Sequence, residues 1–162
     1  MPNGTWETDM DAIDRKILGC LQEDAKLSVA DIAQSVGLSA TPCWRRIKAL
    51  ADKGIIRRHV ALLDAEKLNV GLTVFVAVKT NRHDVDWLEE FTRAVADIPE
   101  AVELYRMSGE IDYLLRIVVP DVAAYDGVYK RLIQSVPFSD VSSSFAMEQI
   151  KYTTALPLIY SD

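Results

Sequence analysis

The sequence predicts an α+β chain in two parts, three short helices with a small β-wing over residues 1–63 and a four-stranded βαββαβ unit over residues 64–162. Three observations carry this. Apolar residues recur with the 3.6-residue period of a helix as far as Leu50 and switch to the two-residue period of a strand from Val70. Gly37, Gly54, Pro99 and Gly109 mark breaks between these segments. Charge is divided unevenly, with a net of +1 over residues 1–63 and −7 over the remaining 99.

The composition sets outer limits. At 162 residues, 49% hydrophobic and 26% charged, with a mean hydropathy of +0.05, the chain has ordinary globular proportions. It is long enough for one medium domain or two small ones. The longest apolar candidate, Val70 to Val78, is interrupted by Gly71 and Thr73, so no membrane span is expected. The opening MPNGTWETDMD has neither a basic flank nor an apolar stretch, so no secretory leader is expected and a cytoplasmic protein is. Cys20 and Cys43 are too few for a disulfide framework and have no metal-site spacing with His59 or His83. No metal and no cofactor are expected.

Asp11 opens the first helix, with Ile13, Ile17, Leu18 and Leu21 on one stripe. Ser28 opens the second, with Asp31 three residues on as its capping-box partner. Val29, Ile32, Ala33 and Val36 face inward, and Gly37 supplies the left-handed stop. The third follows at once, capped by Ser39 or Thr41, with Pro42 in its first turn, where a missing N–H costs nothing. Two helices joined by so short a glycine-containing turn make a helix-turn-helix, although a plain packed αα-hairpin has the same spacing.

The faces of the third helix favour the first reading. Cys43, Ile47 and Leu50 lie within about 60° of one another and point inward. Thr41, Arg45, Lys48 and Asp52 lie opposite, with Trp44 at the flank. From Pro42 to His59 there are six basic groups against Asp52 alone. Such local positive density suits a polyanion better than the whole-chain charge of −6 suggests. Arginine can pair bidentately with guanine, and threonine can meet a phosphate or a thymine methyl. Arg46 sits nearer the buried edge, which leaves a phosphate contact or an internal salt bridge. Beyond Gly54, the segment IIRRHVALLD alternates loosely as a small wing would, placing Arg57 and Arg58 against the flanking DNA backbone. Cys43 and Cys20 read as small buried hydrophobes rather than nucleophiles. Trp44 either stacks on sugar or packs at the helix edge, and Trp87 belongs to a core stripe.

VGLTVFVAVKT puts Val70, Leu72, Val74, Val76 and Val78 on one face of a strand and Thr73, Phe75 and Ala77 on the other. A helix follows from Asp84 to Ile98, with Val85, Leu88, Phe91, Val95 and Ile98 inward. Strands at Ala101–Met107 and Ile111–Val119 flank the turn Ser108-Gly109-Glu110. A second helix, Asp121 to Val136, carries Tyr125, Tyr129, Leu132 and Ile133 on one side. A last strand runs from about Val141 to Ile150 and into the tail ALPLIYSD. The order is the ferredoxin-like split unit, whose uncovered sheet face commonly becomes a dimer surface. The face with Thr73, Phe75 and Ala77 is the expected open one.

Taken together, the strings DAIDRKILGCLQEDAKLS, VGLSATPCWRRIKAL, GIIRRHVALLD and SGEIDYLLRIVVPD resemble the Lrp/AsnC (feast/famine) family of transcriptional regulators, collinearly from about Asp11 to Leu158. Trp44 and Arg45 depart from it, standing where an apolar and an acidic residue often occur. The resemblance implies a winged helix-turn-helix domain on double-stranded DNA, met through Ser39, Thr41, Pro42, Trp44, Arg45, Arg46, Lys48, Arg57 and Arg58. It also implies a homodimer, often built into tetramers or octamers, and a small amino-acid effector at a junction between subunits. The effector residues it implies are Met107, Ser108, Gly109 and Asp112, with Leu104 and Ala146.

The chemistry suits a zwitterion. Asp112 can accept from an ammonium, and backbone N–H groups around Gly109 can donate to a carboxylate. Leu104, Met107 and Leu114 can then select the side chain, while Glu110 is a solvated tip. The bland alternative is a plain hairpin turn at Gly109 with Asp112 as a solvated strand residue. An enzyme is disfavoured, since there is no P-loop, GxGxxG, HExxH or nucleophile–base pair. An architectural DNA protein without an effector is the remaining alternative.

Overall fold

A computed structural model describes residues 10–161; the opening segment read for a leader lies largely outside them. The chain forms two compact units, one from the residues up to Ala61 together with those from Lys151, the other Leu62–Ile150.

The first unit is built on α1 (Ala12–Glu23), α2 (Val29–Val36) and α3 (Ala40–Asp52). The capping box expected on α2 forms, and α1 has one that was not expected. Asp11 accepts from the Ile13 and Asp14 N–H groups while Asp14 accepts from Asp11, and Ser28 and Asp31 do the same for α2. Gly37 is left-handed at φ +75°, as the stop of α2 requires. Ser39 is the N-cap of α3 by backbone position alone, with no side-chain bond. Ile17, Leu18, Ile32, Ala33, Val36, Cys43 and Leu50 make the core.

Two expectations fail in this unit. Residues 55–64 form no strand, so the alternation of IIRRHVALLD does not become a paired wing. A lone hairpin is marginal in water, and among the described residues this unit offers no strand for it to pair with. The tail, expected in the second domain, belongs to the first unit from Lys151 on. Leu158, in a short 3-10 turn at Leu158–Tyr160, packs against that unit's core.

The second unit contains β1 (Leu72–Lys79), α4 (Val85–Ala96), β2 (Ala101–Arg106), β3 (Tyr113–Val119), α5 (Val122–Ser135) and β4 (Asp140–Phe145). These make one antiparallel sheet in the order β2-β3-β1-β4. Val74, Val76, Val78, Leu115, Ile117 and Val119 point to one face and pack with Trp87, Phe91, Val128 and Leu132 of the helices. Thr73, Phe75 and Ala77 lie on the other face, where Phe75 is 39% exposed, as the alternation predicts.

Three side-chain and strand expectations fail. Val85 is 68% exposed because the stripe of α4 centres on Trp87, Phe91 and Val95. Ile133 is 42% exposed, about 100° round from the buried line through Tyr125, Val128 and Leu132. β4 stops at Phe145 rather than Ile150 because its partner β1 begins at Leu72; the final ladder bond runs from the Ala146 N–H to Thr73.

Candidate DNA-binding face and effector turn

α3 is held by its buried side and leaves the other free. Cys43 and Leu50 are buried and Ile47 is half-buried. Burial pushes the Cys43 thiol above its usual range, so it stays a neutral apolar group. Ser39, Thr41, Pro42, Arg45 and Lys48 are exposed, Trp44 is 52% exposed, and Arg57, Arg58 and His59 are exposed beyond the helix. Trp44 is therefore not packed away. The Lys48 ammonium pairs with Asp52 at 2.9 Å, but both groups are solvated, and such a pair is worth about 0.3–0.5 kcal/mol. It yields readily to a phosphate.

Arg46 must be taken out of the DNA-contacting set. Its guanidinium lies 2.7 Å from Asp11 and 2.8 Å from Asp14, whose side chain is only 13% exposed. The two carboxylates that cap α1 therefore also grip α3. The internal salt bridge, one of two readings open from the sequence, is the one that forms. The Asp14 N–H, with help from Arg46, holds the Asp11 carboxyl below the usual carboxylate range. Asp14 and then Asp11 push the Arg46 guanidinium up.

Two expected results follow. Arg46→Ala should destabilise the protein by about 1–3 kcal/mol, because a nearly buried carboxylate loses its partner. It should leave the salt slope of DNA binding unchanged, whereas Arg57→Ala should reduce that slope by about 1. The Asp11 shift also has a definite sign. A carboxyl depressed in the folded state stabilises above its unfolded value near 3.9, and the gain disappears as pH falls through the folded value. The stability gap between wild type and Asp11→Asn should be open at pH 7 and close on acidification, as read by urea unfolding across pH.

In the second unit, Met107, Ser108, Gly109 and Asp112 do come together in the β2–β3 turn. The Met107 N–H donates to the Asp112 carbonyl at 2.8 Å, and the Asp112 N–H donates to Val78 at 2.9 Å. Gly109 has φ +123°, a conformation that excludes side-chain-bearing residues although the space beside it is open. Asp112 is neither in β3 nor fully solvated; it is half-buried, with one carboxylate oxygen taking the Thr80 N–H at 2.9 Å. Thr80, a nearly buried residue, is the partner that sequence reasoning missed. Only the strand register brings it to Asp112, and no local motif announces that.

The other two effector residues are placed elsewhere. Leu104 packs against the core under the helices, opposite Leu115. Ala146 follows β4, three strand steps or about 14 Å across the sheet from β2. It also lies at the Thr73 end of β1, whereas Asp112 lies at the Val78 end. One chain cannot gather all six around one ligand.

Residues 10–57 match the winged helix-turn-helix DNA-binding family, and residues 73–156 match the Lrp/AsnC ligand binding domain. The chain belongs to the Lrp/AsnC family of transcriptional regulators. It is 53% identical over 150 residues to the DNA-binding transcriptional activator DecR of Escherichia coli, covering 92% of this chain and 99% of that one. A crystal structure of an AsnC family regulator from Agrobacterium tumefaciens superposes with a TM-score of 0.90 at 61% identity, covering 93% of this chain and 99% of the other. A Neisseria meningitidis regulator solved as a complex with L-methionine gives 0.88 at 39% identity, covering 93% and 97%.

As an Lrp/AsnC regulator the chain is a DNA-binding transcription factor carrying a ligand-binding domain, and not an enzyme. Among the described residues no His, Cys, Asp or Glu group is clustered to hold a metal, and no helix is long and apolar enough to cross a membrane.

Proposed function

We propose that α3 reads operator DNA from the major groove, with Arg45 and Thr41 toward the base edges and Lys48 toward phosphate. Ser39, Pro42 and Trp44 approach the backbone at its N-terminal end, and Arg57 and Arg58 beyond its C-terminal end. The observation that carries this is the division of α3 into a buried side and a free cationic side. Arg45→Ala should cost about 1–3 kcal/mol at a single base position and relax preference there. Uniform weakening on all sequences would put Arg45 on phosphate instead.

The ligand is a small amino acid, its ammonium on the free oxygen of Asp112 and its carboxylate on N–H groups of the Ser108–Gly109 turn. The L-methionine complex of the Neisseria relative supports that class. Because Ala146 is remote from Asp112 within a chain, the site closes at a junction of two chains, to which Leu104 contributes only by shaping the core. The open sheet face with Thr73, Phe75, Ala77 and Tyr105 is where a second copy seats to make the homodimer, with tetramers or octamers built from it. Such a regulator works in the cytoplasm, where DNA and free amino acids meet. The effector acts by binding one DNA-competent arrangement better than another.

The test is a gel-shift titration on DNA upstream of the protein's own gene at two salt concentrations, with and without a pool of the twenty amino acids. Specific binding shifted by the pool is expected. Binding equal to that on random DNA at both salts would remove the reading of α3.

A further inference from the structure

We infer that the C-terminal segment from Lys151 is a working part of the DNA-binding unit, and that its seat on α1 is a second link through which the effector unit acts on α3. The inference rests on the proposed effector response. The chain passes between the two units twice, after Ala61 and again after Ile150. The second passage comes four residues after the β4 ladder ends at Ala146, one of the residues implied at the effector junction.

The far end of this passage is caught at defined points. The Gln22 carboxamide donates to the Leu156 carbonyl at 3.2 Å and accepts from the Leu156 N–H at 2.7 Å. One α1 side chain thus reads both backbone groups of one tail residue and sets the tail's register. Leu158 enters the apolar cluster that includes Ile17 and Leu18. The Ser161 carbonyl accepts from Arg15 at 3.5 Å, and its hydroxyl donates to the Leu158 carbonyl at 2.6 Å.

α1 is the right helix to receive such a link. Its Asp11 and Asp14 hold Arg46 of α3, so a shift of α1 is passed to the helix that presents Thr41, Arg45 and Lys48. The seat is also suited to opening. Tyr152, Leu156, Ile159 and Tyr160 remain exposed, so few apolar contacts resist release, and segments of that kind open at low free energy. A docked and a released tail form the two-state element that coupling between sites requires.

The experiment compares the full-length protein with Gln22→Ala, Leu158→Ser and a chain ending at Ile150, with Leu158→Met as the volume-keeping control. Chymotrypsin cleavage near Tyr152 reports the tail, gel shifts on the upstream DNA report affinity, and the amino-acid pool is the effector probe. Cleavage should quicken by about tenfold in the first two variants, in line with a local opening made easier. The pool's effect on DNA affinity, typically about 5- to 150-fold in coupled systems, should fall below about twofold. The rise in melting temperature that the pool causes should persist, which separates lost coupling from lost effector binding. Leu158→Met should behave as wild type. Point variants with a released tail and an undiminished pool effect would overturn the inference. If wild-type DNA binding ignores the pool, the effector reading fails on its own. The tail is then decided by DNA affinity alone: a weakening of at least about fivefold on release upholds it, and no change overturns it.

Discussion

Trp87→Ala is expected to cost about 3–5 kcal/mol of stability, a large share of what holds a domain of this size together. Trp87 is fully buried and stacks on Phe91 with ring centroids 5.0 Å apart. It also meets Tyr113 at 5.6 Å and the edge of Phe138 at 6.1 Å. Its indole N–H donates to the Pro137 carbonyl at 3.1 Å, so alanine leaves both a cavity and an unpaired acceptor. Tyr113 directly follows Asp112, so the loss reaches the effector turn as well as the core. Urea unfolding followed by far-ultraviolet circular dichroism measures the cost. A loss below about 1 kcal/mol would mean that the aromatic cluster collapses around the gap, contrary to the close packing expected of such cores.

Asp112→Asn should weaken the effector response by about 10- to 100-fold in effector concentration, matching the roughly 1.5–3 kcal/mol of a hydrogen bond to a charged group. Asparagine is the informative substitution because its side-chain oxygen can still accept from the Thr80 N–H. It removes the charge and keeps the anchor of the turn. Asp112→Ala removes both, so it should abolish the response and also loosen the turn. DNA affinity without effector should stay near wild type in both. An unchanged response in Asp112→Asn would show that the carboxylate serves Thr80 alone and that the ammonium is met elsewhere.

Local rules set most of this chain's elements. The stops and starts at Asp11, Ser28 and Gly37 involve atoms no more than four residues apart, and all three form as their residue types dictate. The period-2 run from Leu72 to Val78 states which face is buried, and the sheet agrees. The free face of α3 is equally legible, since a single helix keeps its angular order whatever surrounds it.

Apart from Val85 and Ile133, which lie off the buried stripe of their own helices, the departures share one physical origin, contacts between residues far apart in the chain. Arg46 and Asp14 are 32 positions apart, and the same separation divides Thr80 from Asp112. Gln22 and Leu156 are 134 apart. No periodicity encodes such pairs, because each depends on which elements end up side by side. The same holds for β4, whose length follows from where β1 begins, and for the wing segment, whose alternation found no partner strand. Composition, helix faces and caps are properties of neighbours in sequence and were set before folding. The clamp on α3, the anchor under the effector turn and the seat of the tail exist only once distant segments have met.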